Sequence, residues 1–216
     1  RYIAETKCLQ IAWRSSHLHN ANEKETEEEN IIMKYVIIGA GGTGGILGFY
    51  MTKAGKDVTL IARNAHLAAM KEQGLTVRHL WDGTTETVPV KAENMETYES
   101  MIASAGEAAK PDVILVCVKG YSLDNTVPFV QKIAKKSTIV IPILNIYGTG
   151  SRLQKKLPEL LVTDGCIYVS ANIEGPGALV QHGKILRVVF GVREKSEFRE
   201  ELKEIAKDFS DSGISG

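Results

Sequence analysis

The chain has 216 residues, 44% hydrophobic and 24% charged, with Lys+Arg and Asp+Glu each numbering 26 and a formal net charge of zero. That length holds one full domain, and the charge balance carries no electrostatic footprint for nucleic acid or an anionic membrane surface. The longest apolar runs, residues 113–118 and 138–144, have strand length, far short of the roughly 20 residues of a membrane span.

Residues 1–32 show no sustained period and include the acidic run Glu23-Lys24-Glu25-Thr26-Glu27-Glu28-Glu29. They are expected to form a solvated, poorly ordered leader, with Met33 as the natural start. Neither a secretory signal nor an organelle transit peptide has this composition. His17-x-His19 with Cys8 lacks a fourth ligand and a scaffold, so no metal is expected. The cysteines Cys8, Cys117 and Cys166 are odd in number and without framework spacing, and Cys117 lies in an apolar run as a reduced, buried thiol does. A cytoplasmic setting is expected.

From Met33 the pattern becomes regular. Tyr35-Val36-Ile37-Ile38 predicts a strand, followed by a glycine turn, a helix over 42–54 and a second strand over 57–62. Asn64 reads as the N-cap of a helix carrying Leu67, Ala68 and Met70, with Gly74 as its left-handed terminator. Short strands follow at 75–77 and 87–90, the latter an edge because Pro89 cannot donate to a ladder. A helix is expected over 101–109, then a doubly buried strand over 113–118, a helical stretch interrupted by Pro128, and another buried strand over 138–144. After Ser151 the pattern predicts strands at 166–171, 179–181 and 184–190 that extend or cap the same sheet. Phe198, Leu202, Ile205, Ala206 and Phe209 then share one face of a final helix, whose apolar surface is expected to be left partly uncovered. The whole predicts an α/β fold, a Rossmann-type doubly wound, mostly parallel sheet over 33–216.

Gly39-Ala40-Gly41-Gly42-Thr43-Gly44 is a GxGxxG directly after the first strand and opening the first helix. Dinucleotide binding needs Gly39 for the tight turn, Gly41 for backbone approach to a pyrophosphate, and Gly44 for close helix packing, with the phosphates on the helix N-terminus. The bland alternative is a merely flexible turn. Where NAD-specific domains place an acid, at the end of the second strand, this chain has Ala62-Arg63-Asn64. A guanidinium there binds a 2′-phosphate that a carboxylate would repel, which favours NADP(H); otherwise Arg63 is a solvated residue at a helix start. Lys119 and Asn145 end the two buried strands, at crevice positions beside a ligand. The alternatives are a snorkelling lysine and a turn asparagine.

These segments resemble the ketopantoate reductases (2-dehydropantoate 2-reductases): residues 33–42 look like their first strand and turn, Leu60-Ile61-Ala62-Arg63 like their NADP-selecting strand end, and Val118-Lys119-Gly120-Tyr121 like the segment of their active-site lysine. Ile143-Leu144-Asn145 corresponds to the segment whose asparagine touches cofactor and substrate, and the match places Ala171 near the cofactor. The resemblance implies NADPH-dependent reduction of a 2-oxo acid, 2-dehydropantoate to pantoate in pantothenate biosynthesis, with Lys119 and Asn145 positioning substrate and nicotinamide. The sequence departs from the family at Asn145-Ile146-Tyr147-Gly148, where a glycine usually follows the asparagine. The family's helical C-terminal domain, with its lysine general acid, has no match in this chain. The expectation is therefore a chain without catalytic residues of its own that binds NADP(H) and turns over poorly. Expected partners are a small-molecule 2-oxo acid, no nucleic acid and no membrane, with a homodimer left open. The alternative is a non-catalytic NADP(H)-binding or redox-sensing module.

Overall fold

Alternate residues of each central strand feed two different cores, and this sets the layering. The computed structural model describes residues 32–216. The expected leader, the acidic run, Cys8 and His17-x-His19 lie outside the described residues, apart from exposed Ile32. In chain order the elements are β1 (Lys34–Ile38), α1 (Gly42–Lys53), β2 (Asp57–Ile61), α2 (Asn64–Gln73), β3 (Leu75–His79), β4 (Thr85–Val88), β5 (Lys91–Glu93), α3 (Met95–Ala105), β6 (Val113–Val116) and α4 (Val127–Ile133). There follow β7 (Ile139–Pro142), α5 (Thr149–Lys156), β8 (Leu161–Val162), β9 (Asp164–Gly175), β10 (Ala178–Gly191) and α6 (Glu201–Asp211).

Six strands form a wholly parallel sheet in the order β5-β2-β1-β6-β7-β8. The chain builds outward from β1 to β2 and β5 on one side, then returns to place β6, β7 and β8 on the other. The order therefore reverses between β1 and β6, the switch point of a doubly wound sheet. Side chains alternate as the pleat requires. Tyr35, Ile37, Val113, Leu115, Ile139 and Ile141 face one core, whereas Val36, Ile38, Ile114, Val116 and Val140 face the other with α3, α4 and α5.

The later strands do not extend that sheet. β9 and β10 pair antiparallel, and β10 runs parallel to β3, giving a separate sheet in the order β4-β3-β10-β9. The helix α1 lies between the two sheets, with Gly44, Gly45, Ile46, Leu47, Gly48, Phe49 and Met51 all buried. A helix covered on both sides can serve two sheets at once.

Local chemistry moves several expected boundaries. Asn64 is the first residue of α2 with φ 55°, and Arg63 occupies the cap position without a side-chain bond. Gly74 ends α2 at φ 85° and ψ −172°, outside the left-handed helical region. α3 begins at Met95 rather than at 101, because the Asn94 side chain accepts from the Thr97 amide at 2.7 Å. Pro128 opens α4 instead of interrupting it, since its missing N–H would have no helical partner there. β4 is an edge strand as expected, ending just before Pro89. α5 stands in a stretch to which no element was assigned; only Thr149, Gly150 and Leu153 of it are buried, too short a stripe to read.

α6 closes the core between the sheets. Leu202, Ile205 and Phe209 are buried, while Ala206 is exposed and Phe198 lies ahead of the helix, so the apolar face is covered rather than left open. The Phe209 ring meets Phe190 edge-on at 5.7 Å. Asp208 accepts from the Tyr35 hydroxyl at 2.5 Å and the Lys56 ammonium at 2.6 Å. Burial, then Asp208, push the Tyr35 hydroxyl pKa upward, keeping it a donor. Replacing Phe209 by Ala should cost about 3–5 kcal/mol in urea unfolding, and replacing exposed Ala206 by Ser within about 0.5 kcal/mol. Equal, small effects would mean that α6 does not seal this core.

Candidate functional site

The turn after β1 is built where three backbones meet. Gly39 has φ 100°, a conformation glycine adopts without strain. Its amide donates to the Ile61 carbonyl at 3.1 Å, joining the end of β1 to that of β2. A Cβ at Gly39 would stand 3.1 Å from the Cys117 carbonyl oxygen, so the end of β6 crowds the other side. A Cβ at Gly44 would overlap the Gly39 carbonyl oxygen and reach the Cys117 Cβ at 2.8 Å. A Cβ at Gly42 would overlap the Ala171 carbonyl oxygen of β9. Gly45 and Gly48, outside the motif, allow Leu179 and Leu60 the same close approach, at 2.6 and 2.5 Å from a built Cβ. Gly41 differs from all of these: nothing lies within 4 Å of a Cβ there. The turn is close-packed behind and open at Gly41.

This open point leads into the N-terminus of α1. Its first intrahelical bond runs from the Gly45 amide to the Gly41 carbonyl at 2.7 Å, and no side chain caps the end. The amides of the first turn have no partner within a helix, and no acid stands in that turn. Aligned peptide dipoles add partial positive charge, so the end suits an anion.

Around it stand the other sequence-derived residues. Arg63 follows β2, exposed and extended (φ −148°, ψ 164°), and forms no ion pair or side-chain hydrogen bond among the described residues. Lys119 follows β6, exposed, and likewise has no side-chain partner among the described residues. Ala171 lies against Gly42 by its backbone. Asn145 follows β7, next to β6, but its side chain is engaged: Nδ2 donates to the Ile167 carbonyl at 2.9 Å and Oδ1 accepts the Ile167 amide at 3.0 Å. It stands in for a neighbouring strand and ties β7 to β9, leaving one amide hydrogen uncommitted. No bond joins Lys119 to Asn145 among the described residues.

Of two further features at the turn, His66 carries no sequence signal. His66, in the first turn of α2, bonds both the Ala40 carbonyl and the Gly177 amide, each at 2.9 Å. Cys117 packs behind Gly44, and burial pushes its thiol pKa far up, which keeps it neutral. Cys117 and Cys166 are both free. Among the described residues no cluster of three metal-ligating side chains occurs, and no helix is long and apolar enough to cross a membrane.

The sequence profile of ketopantoate reductase PanE/ApbA matches residues 35–195. The chain is similar to the protein named uncharacterized oxidoreductase YkpB of Bacillus subtilis, 26% identical over 178 residues, covering 82% of this chain and 54% of that protein. It is similar to 2-dehydropantoate 2-reductase of Pyrococcus horikoshii, 29% identical over 180 residues, covering 80% and 52%. Among solved structures it is similar to a PanE/ApbA family ketopantoate reductase from Ralstonia eutropha, with TM-score 0.69, 26% identity and coverage of 85% and 55%. A D-mandelate dehydrogenase solved with NADH and anilino(oxo)acetate gives TM-score 0.70, 26% identity and coverage of 85% and 55%. The chain thus spans about half the length of these relatives.

The packing makes opposite demands on neighbouring glycines. Gly42→Ala must displace β9 backbone and should lower stability by about 1–3 kcal/mol in urea unfolding, whereas Gly41→Ala should stay within about 0.5 kcal/mol. Site-resolved alkylation at neutral pH should label the partly buried Cys117 far more slowly in the folded chain than after denaturation, because its thiol is held neutral. Equal labelling rates in the folded and denatured chain would mean that the packing behind Gly44 does not suppress the thiolate.

Proposed function

Since the chain belongs to the ketopantoate reductase family PanE/ApbA, we propose that residues 33–216 bind NADP(H) and serve the reduction of a 2-oxo acid, 2-dehydropantoate to pantoate in pantothenate biosynthesis, in the cytoplasm. The observation that carries this reading is the turn at the switch point, close-packed on every side but open at Gly41 and continuous with an uncapped helix end. Such a cradle accepts a pyrophosphate, and a Cβ at Gly41 would stand in its way.

The relatives include 2-dehydropantoate 2-reductases and a D-mandelate dehydrogenase solved with NADH, and residues of this chain support the NADP(H) reading. Arg63, free of partners among the described residues, offers a guanidinium to a 2′-phosphate. Lys119 supplies a positive charge at the crevice for a substrate carboxylate or a cofactor phosphate, and Asn145 offers its remaining amide hydrogen there. A bound dihydronicotinamide would supply the hydride for reduction of a substrate carbonyl carbon, with a proton needed at the carbonyl oxygen. No residue of this chain is assigned that proton donation.

Calorimetric titration of the chain with NADPH and with NADH tests this directly. NADPH should bind more tightly, and Arg63→Ala should weaken it by about 1.5–3 kcal/mol, the range for a lost hydrogen bond to a charged group, leaving NADH nearly unchanged. Gly41→Ala should weaken both. Equal affinity for the two nucleotides would overturn the NADP(H) assignment, and binding of neither would overturn the cofactor site.

A further inference from the structure

His66 lies 26 residues beyond Ala40 and 111 before Gly177, yet bridges both. A carbonyl only accepts a hydrogen bond, and a backbone N–H only donates one. The two contacts therefore select one form of the imidazole, with its hydrogen on Nε2 pointing at the Ala40 oxygen and a lone pair on Nδ1 receiving the Gly177 amide. Backbone packing fixes the same approach. Gly177 is buried in the turn between β9 and β10 with φ 70°, and a Cβ there would come within 2.9 Å of the Ala69 Cβ on α2. One ring thus holds the glycine turn, α2 and the β9–β10 turn together.

The bond to Ala40 acts on the donors of the turn. No peptide among the described residues is cis, so the Ala40 carbonyl and the Gly41 N–H lie in one plane and point in opposite directions. Holding the carbonyl towards α2 aims the Gly41 N–H away from α2. Flipping this peptide would turn ψ of Ala40 and φ of Gly41 together, and the glycine at 41 lowers the resistance to it. A flip would turn a carbonyl oxygen to where the N–H had pointed, and an oxygen facing a phosphate is repulsive.

We propose that His66 is a positioning residue for the dinucleotide, its neutral Nε2–H ring locking the Ala40–Gly41 peptide with the N–H directed at the phosphates. This rests on the reading of the turn as a dinucleotide site. The role differs from simple cross-linking, because what matters is a donor delivered to one carbonyl.

The test uses the 216-residue chain, wild type and with His66→Ala or His66→Gln, titrated with NADPH, together with ring nitrogen NMR of the wild type. His66→Ala should raise the NADPH Kd on the order of tenfold, as loss of one hydrogen bond does. His66→Gln, whose side-chain amide can donate to Ala40, should return it to within about threefold of wild type. The nitrogen spectrum should show a neutral ring protonated on Nε2. Wild-type affinity in His66→Ala, no recovery in His66→Gln, or a ring protonated on Nδ1 overturns the proposal. Should His66→Ala not fold, His66→Gln against wild type and the nitrogen spectrum still decide it. A wild-type chain that binds no dinucleotide overturns the cofactor reading and this proposal together, whereas tight wild-type binding unchanged by His66→Ala overturns this proposal alone.

Discussion

Missing Cβ atoms on two opposite faces of α1 let its backbone approach the ends of β1 and β6 on one side and β9 on the other. Gly44 admits the Gly39 carbonyl and Cys117, Gly42 admits the Ala171 carbonyl, and Gly45 and Gly48 admit Leu179 and Leu60. The parallel sheet, the second sheet and the core between them all depend on that approach. With α1 buried on both sides, its N-terminus is fixed at the switch point between β1 and β6. Gly41 is left as the place where the packing opens. The site follows from how the helix is seated, and the rest of the chain secures the seat, α6 from one end and the His66 bridge from another.

Electrostatics sharpens this geometry. The chain as a whole is neutral, and Lys53, Lys56, Lys71, Lys91 and Arg78 are each paired with acids. Most such exposed pairs contribute little to stability. At the carboxyl edge of the parallel sheet, by contrast, Arg63 and Lys119 follow β2 and β6 without side-chain partners among the described residues, beside a helix end that carries partial positive charge. An anionic ligand is favoured there without any excess of charge on the whole protein.

The parallel sheet was legible in the sequence because its inner strands are buried on both faces, so residues 113–116 and 139–142 read as continuous apolar runs. The second sheet was not. Its strands are half-exposed, and β9 and β10 shift register between Gln181 and Leu186, breaking the alternation that would have marked one long hairpin. β5 is three residues long and α5 buries only one large apolar side chain, so neither carries a period. The glycines at the end of β1 and Arg63 at the end of β2 were legible from spacing after a strand. His66 was hidden because a single histidine on a helix has no pattern, and its partners lie far off in the chain. Asn145 was visible as a strand-end residue, but its engagement with the Ile167 backbone depends on β9, whose place could not be read.

The central claim is that the turn from Gly39 to Gly44 receives the phosphates of a dinucleotide through backbone amides. Amide proton and nitrogen NMR of the chain during addition of NADPH tests it most directly. The account predicts that the largest shifts fall on the amides of Gly41, Gly42 and Thr43, with smaller ones at Arg63 and Ala171. Saturable binding that leaves the Gly41 to Thr43 amides unmoved while perturbing another face would contradict it.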